Sequence, residues 1–275
     1  MMNVKEAYDY SYSFLKANGV DEADNKALNA VCSVAGIKLS EYQAHKEDFI
    51  NMKRLADFLW RLKTGEPLQY IIGKWDFYES EFFVGEGVLI PRPETEELVD
   101  LVIDYAKGLE KPVIFDLCSG SGCIGISIAK KLPNAFVCCI EKSEDAYKYL
   151  ERNAENVPNV KCILGDINND FDLPSADIIV SNPPYIKSED MKTLQPEVKK
   201  EPSMALDGGE DGLDFYRIIN DKWTAYLKDD GRLFLEIGED EGESIKTVLT
   251  SFSDITVKKD LSGNDRMVVA DKIIR

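Results

Sequence analysis

Histidine is nearly missing from this chain. His45 is its one copy, in a helical stretch far in sequence from every motif described below, so a mechanism built on an imidazole acid or base is not expected. A basic excess is missing too: 33 Lys and Arg stand against 50 Asp and Glu, giving a formal charge of −17 and an isoelectric point near 4.6. Such a field repels phosphate backbones and anionic membranes, which argues against tight sequence-independent nucleic-acid binding. It attracts a basic protein partner, although acidity also serves plain solubility. No apolar run approaches the roughly 18 residues that span a bilayer, and no basic-then-apolar leader opens the chain. Cysteine is present at six positions, 32, 118, 123, 138, 139 and 162, but never as Cys-x-x-Cys. These are expected to be reduced core thiols of a cytoplasmic protein, and no metal-ligand cluster is expected. What remains is an ordinary globular composition, 275 residues with 44% hydrophobic, enough for one large domain or two unequal ones.

Residues 1–70 read as a small helical bundle. Apolar positions recur at helical spacing from Val4 to Ala17 and stop at Asn18-Gly19; Asp21 is a candidate cap for a second helix ending at Ala35, and Ser40 for a short third. Residues 48–62, "DFINMKRLADFLWRL", place Phe49, Met52, Leu55, Phe58, Leu59 and Leu62 on one side of another helix. Residues 71–92 alternate and are aromatic around Glu79-Ser80, as a β-hairpin linking two domains would be. From residue 93 to 275 strands and helices alternate, beginning with a helix opened by Pro93. Strands are expected at "VIFDL", "AFVCCIE", "NVKCILGD", "DIIVSN" and "GRLFLEIG", then an antiparallel pair "DITVKKD" and "RMVVADK". Helices are predicted over 122–131, 212–227 and 242–252. The fold class is therefore α/β: a Rossmann-like, mostly parallel sheet with helices on both faces and a small helical domain in front.

Two motifs carry chemistry. After the first sheet strand, "DLCSGSGCIG" sets Gly120, Gly122 and Gly125 in Gly-x-Gly-x-x-Gly between a strand and a helix, where backbone can approach a nucleotide closely. Glycine spacing alone leaves NAD open, since Glu141 at the end of the second strand suits a ribose diol. Asp116 at the first strand's tip would repel a pyrophosphate but suits the ammonium of an amino-acid moiety, and Asp166 is placed to accept from an adenine amine. Helix-cap and turn roles are the plain alternatives for these carboxylates. The second motif, "SNPPYI", ends the fourth strand in an amide and two residues without an N–H. The side-chain oxygen of Asn182 and the carbonyl of Pro183, fixed in direction because a Pro-Pro unit joins no ladder, form two rigid acceptors for a substrate NH2 group. Pro184 and Tyr185 complete the pocket, with Tyr185 as an aromatic wall against a flat amide.

The tetrapeptide is similar to that of S-adenosyl-L-methionine-dependent amino methyltransferases, DNA adenine methyltransferases included. With "LIPRPETEELV", "PEVKKEPSMALDGGEDGLDFYR", "LFLEIG" and "DLSGNDR", the chain resembles the release-factor glutamine methyltransferase family, PrmC or HemK, over nearly its whole length. That resemblance implies a seven-stranded methyltransferase sheet and methyl transfer to the side-chain amide nitrogen of the glutamine in the Gly-Gly-Gln motif of peptide chain release factors. It implies cofactor contacts from Cys118, Ser119, Gly120, Ser121, Gly122, Glu141 and Asn182, with Asp166 and Ile167 at the adenine, and a glutamine held by Asn182, Pro183, Pro184 and Tyr185. Two positions depart from the family's habit: Glu141, where Asp is frequent, and Ile167, where Trp is frequent and would stack more strongly on adenine. Arg92 and Thr95 are candidates to close the cofactor site, with helix capping an equal alternative for Thr95. The long polar stretch 186–214 is expected to face the substrate, and the helical domain to grip the release factor. The alternatives are methylation of a ribosomal-protein glutamine or an adenine amine, a NAD-dependent oxidoreductase, and a silent binding module.

Overall fold

The computed structural model describes residues 2–273. The chain divides into two compact units, one of residues 1–74 with 195–200, the other of residues 75–194 with 201–275.

The first unit is helical. Helix α1 (Val4–Ala17) opens with a capping box between Asn3 and Glu6; α2 (Ala23–Ala35) ends at Gly36 in the left-handed conformation. Its lead-in differs from the expected Asp21 cap, for Glu22 precedes the helix with φ 51° and no side chain caps it. A 3₁₀ turn (Leu39–Glu41) and the short α3 (Tyr42–His45) follow. Helix α4 (Met52–Lys63) starts four residues later than its apolar pattern suggests, because the side chain of Asn51 accepts from the N–H groups of Lys53 and Arg54. Leu55, Phe58, Leu59 and Leu62 are buried along α4, and α5 (Leu68–Ile72) closes the run. Within this unit Lys26 is buried and paired with Glu197, which ties the excursion 195–200 to α2.

The hairpin β1 (Lys74–Phe77) and β2 (Ser80–Phe83) begins at the last residue of the first unit's opening stretch, and its remaining residues open the second. Phe77 and Phe82 are buried, ring centroids 6.0 Å apart and edge to face, in the core that contains α6 (Thr95–Ala106). The large sheet has seven strands in the order β5-β4-β3-β6-β7-β9-β8. These are β3 (Val113–Leu117), β4 (Phe136–Glu141), β5 (Val160–Leu164), β6 (Ala176–Ser181), β7 (Leu227–Glu236), β8 (Phe252–Lys259) and β9 (Asp265–Lys272). All neighbours run parallel except β9 against β7 and β8. Helices α7 (Cys123–Lys131), α8 (Glu144–Ala154), α9 (Asp214–Asp221) and α10 (Ser244–Val248) cover it.

Strand alternation divides the apolar residues between two cores. Ile114, Val137, Cys139, Ile178 and Val180 meet α6 and α7, while Phe115, Leu117, Cys138, Ile140 and Ile179 meet α9 and α10. A strand buried on both faces reads as an unbroken apolar run, which is why "FVCCI" and "DIIV" showed no period. The predicted helix 212–227 is in fact α9 plus a 3₁₀ turn at Trp223–Tyr226, and the predicted helix 242–252 is only the short α10. The first break has a cause in Trp223, fully buried, whose indole N–H donates to the Ile167 carbonyl at 3.0 Å. The six cysteines are unpaired. No helix among the described residues is long and apolar enough to cross a membrane.

Candidate active site

The chain steps outward from β3 to β4 to β5, then returns to place β6 on the other side of β3. Such a switch point opens a crevice at the carboxyl ends of the strands, where ligands of open α/β sheets bind. The glycine loop leaves β3 and the Asn-Pro-Pro-Tyr segment leaves β6, so neighbouring strands deliver the two motifs side by side. The Ser181 hydroxyl donates to the Leu117 carbonyl at 2.6 Å and fastens one exit to the other.

Several bonds fix the loop. Cys118 takes a left-handed conformation, φ 58°, and the Ser119 hydroxyl donates to the carbonyl of Asp116 at 2.7 Å. The Gly120 N–H donates to Glu141 Oε2 at 2.8 Å, and the Ser143 N–H to Glu141 Oε1 at 2.7 Å. Glu141 therefore braces the loop as well as lining the cleft. Burial raises its pKa, and the backbone donors Ser143, Gly120 and Lys142 limit the rise.

Asp116 behaves otherwise than expected. It does not line the cleft; it is fully buried, with Oδ2 accepting the Gly125 N–H at 2.9 Å and Oδ1 without a partner among the described residues. Burial pushes its carboxyl up to about 7, against the bond from the Gly125 N–H. A Cβ at Gly125 would stand 2.5 Å from Cys139 Sγ and 2.9 Å from Asp116 Oδ2, so the helix packs this closely on the sheet only because the residue is glycine. Asp116 thus sets the seat of α7.

The cleft encloses about 960 Å³ of empty space, its open mouth included. Cys118, Ser119, Gly120 and Ser121 line it, as do Glu141, Asp166 and Ile167; Gly122 does not. Asp166 stays below the ordinary carboxylate value: burial works against ionisation, but Lys142 Nζ at 2.8 Å and the Asn168 N–H at 2.9 Å outweigh it. Ile167 is buried, with its carbonyl held by Trp223. Leu89, Thr95, Pro202, Met204 and Phe215 add walls; all lie in segments that carry the family resemblance, but only Thr95 was singled out as a candidate for the site. Glu201 is also buried, and accepts from Arg92 Nη2 at 2.5 Å and from the Ile90 N–H at 3.0 Å. Arg92 lines the cleft with its guanidinium committed to this pair.

At the acceptor motif, Asn182 and Pro184 line the cleft, whereas Pro183 is buried and Tyr185 packs its half-buried ring into the core beside α9. Asn182 Nδ2 donates to Thr95 Oγ1 at 3.2 Å, and Thr95 Oγ1 donates to Glu236 Oε2 at 2.6 Å. Thr95 is the first residue of α6 and caps nothing with its side chain. A return segment underpins the motif. Ile186 pairs in parallel with Asp207, its N–H donates to the Leu206 carbonyl at 2.9 Å, and the Gly208 N–H donates to the Ile186 carbonyl at 2.8 Å.

Comparison with known proteins fits this geometry. The methyltransferase small domain family matches residues 99–210, and the PrmC N-terminal domain family matches residues 6–73. A release factor glutamine methyltransferase of Fusobacterium nucleatum is 38% identical, over 98% of this chain and 79% of its own length. One from Bacillus cereus is 36% identical, over 98% of this chain and 99% of its own. This chain belongs to the release factor glutamine methyltransferase family. A third relative so named, from Thermodesulfovibrio yellowstonii, is 45% identical across 77% of this chain and 78% of its own. Among solved structures, the hMettl16 catalytic domain in complex with MAT2A 3'UTR hairpin 6 shares the fold, with a TM-score of 0.58 at 15% identity and 81% coverage of both chains.

As a methyltransferase, the protein uses S-adenosyl-L-methionine, and the cleft suits it. Two carboxylates at successive strand ends, Glu141 and Asp166, line it from β4 and just beyond β5, beside apolar Ile167 and Met204.

Proposed function

We propose that this chain transfers the methyl group of S-adenosyl-L-methionine to the side-chain amide nitrogen, N5, of the glutamine in the Gly-Gly-Gln motif of peptide chain release factors, with S-adenosyl-L-homocysteine as the other product. The observation that carries the reading is the placing of Asn182 and its prolines just beyond the end of β6, the strand that pairs with β3 ahead of the glycine loop, with Asn182 lining the same cleft.

When bound, S-adenosyl-L-methionine supplies an electrophilic methyl on a sulfonium. The chain's own residues do the rest. Asn182 Oδ1 and the Pro183 carbonyl accept the two N–H bonds of the glutamine amide; no hydrogen bond among the described residues already takes that carbonyl. With both hydrogens held, the amide's weakly nucleophilic lone pair is turned toward the donor side of the cleft, so orientation and electrostatics provide the rate enhancement. Glu141 holds the ribose hydroxyls, Asp166 accepts from the adenine amine, and Ile167 flanks the base. Pro184 walls the cleft, and the ring of Tyr185 stiffens the motif from the core side.

On this reading the helical unit grips the release factor, the acidic surface favours a basic protein over nucleic acid, and the unpaired thiols suit the cytoplasm. The test is mass spectrometry of release factor treated with the protein and S-adenosyl-L-methionine, with ribosomal proteins, DNA and RNA as parallel substrates. One added methyl on the Gly-Gly-Gln peptide, absent with Asn182→Ala, is expected. Methylation of another substrate while the release factor stays unmodified refutes the proposal.

A further inference from the structure

Asn182 is an acceptor for the substrate only if its oxygen, and not its NH2, faces the cleft. A half-turn of the amide exchanges the two and converts an acceptor into a donor. A chain of buried bonds decides between them. Glu236, at the end of β7, is fully buried, and its Oε2 lies 2.6 Å from the hydroxyl of Thr95, itself 1% exposed. A hydroxyl has one proton, and an ionised carboxylate has none to give. Thr95 must therefore donate to Glu236, which leaves only lone pairs at Oγ1. A lone pair accepts from Asn182 Nδ2, 3.2 Å away, and cannot bond its oxygen.

We propose, resting on the function above, that Thr95 and Glu236 are positioning residues for the transfer: the carboxylate orients the hydroxyl, the hydroxyl holds the NH2 of Asn182, and Oδ1 is thereby presented to the glutamine amide. The contacts join the end of β7, the start of α6 and the end of β6, with Thr95 and Glu236 141 residues apart in sequence. A purely structural role fits Glu236 poorly, since its Oε1 has no partner among the described residues and an apolar side chain would be easier to bury.

The protonation of Glu236 should matter. Burial pushes its carboxyl up to about 7; the Thr95 bond, Arg266 and Arg92 oppose the rise, and Glu94 adds to it. The other titratable groups facing it, Tyr185, Tyr216 and Cys123, are all raised by burial and stay protonated at neutral pH. A neutral Glu236 can donate to Thr95 and release the hydroxyl proton toward Asn182, which undoes the selection. Turnover should therefore fall as pH drops through about 7.

The test uses the full-length protein, S-adenosyl-L-methionine and release factor. Thr95→Val is expected to lower kcat about 10- to 100-fold while the Kd for S-adenosyl-L-methionine, measured by calorimetry, stays within about threefold. Thr95→Ser should restore kcat, and Glu236→Gln should erase the limb near pH 7. An unchanged kcat in Thr95→Val, or a loss that Thr95→Ser shares, overturns the proposal. A second readout needs no release factor. The side-chain NH2 protons of Asn182, assigned by their loss in Asn182→Asp, should exchange slowly in the wild type and fast in Thr95→Val. Equal rates overturn the proposal even if the protein methylates as expected; an unmethylated release factor overturns the substrate reading, while the exchange rates still decide the orientation.

Discussion

Replacing Gly208 by alanine tests whether the acceptor motif is held by backbone packing from behind. A Cβ there would stand 2.7 Å from the Cα of Tyr185, 2.7 Å from the Gly212 carbonyl oxygen and 2.8 Å from that of Pro184. All three neighbours are backbone, so no side chain can swing aside. Relief to an ordinary 3.4 Å contact requires the motif and its support to part by about 0.7 Å. Overpacking of this kind costs about 1–3 kcal/mol, or about 2–12 °C in Tm. A displacement of that size at a positioned acceptor costs about 10- to 100-fold in kcat. The glycine loop lies on β3 and is not touched, so the Kd for S-adenosyl-L-methionine should stay within about threefold. Gly263→Ala is the control, because its φ of 88° strains an added side chain but nothing lies within 4 Å to be pushed. Steady-state methylation and calorimetry on both variants make the comparison. A folded Gly208→Ala protein with wild-type kcat, or one whose cofactor affinity falls in step with kcat, refutes the reasoning.

Glu141→Ala should weaken S-adenosyl-L-methionine binding about 10- to 100-fold, since it strips the brace on Gly120 and Ser143 and, on the proposed function, a ribose acceptor; calorimetry giving an affinity within about threefold of wild type would contradict this. For Glu236 the pH dependence of stability has a definite sign. Its folded value of about 7 lies above the ordinary 4.5, so the stability associated with its proton is fully present below about 4.5 and gone once pH has risen through about 7. The ionised, buried carboxylate costs about 3 kcal/mol. Glu236→Gln carries no such penalty, so urea midpoints at pH 5.5 and 8 should shift in the variant's favour at the higher pH, and parallel curves would count against it.

Alternation of apolar strand segments with helical ones was enough to foretell the sheet, because successive βαβ units impose that order on the chain. It could not foretell where α9 stops, since the indole bond from Trp223 to Ile167 is a tertiary choice that overrides local helical pattern. The cleft was legible where one motif supplies its own neighbours, as at Cys118 to Ser121, and at strand ends such as Glu141 and Asp166. Asp116 misled because its position at a strand tip says nothing about which way the carboxylate turns; the close approach of Gly125 turns it inward. The Thr95 and Glu236 pair was invisible for a simpler reason, since nothing local signals a bond between a helix start and a strand end so far apart.

The excursion at 195–200 has a practical bearing on how this chain can be cut. The polypeptide passes from one unit to the other at residue 74, returns at 194, and departs again at 200, so no single scissile linker separates them. A truncation that discards the front helices also removes Lys26 and orphans Glu197 in the middle of the part retained. The front helices do not make a unit by themselves, and transplanting them between homologues would require carrying this hexapeptide as part of the graft.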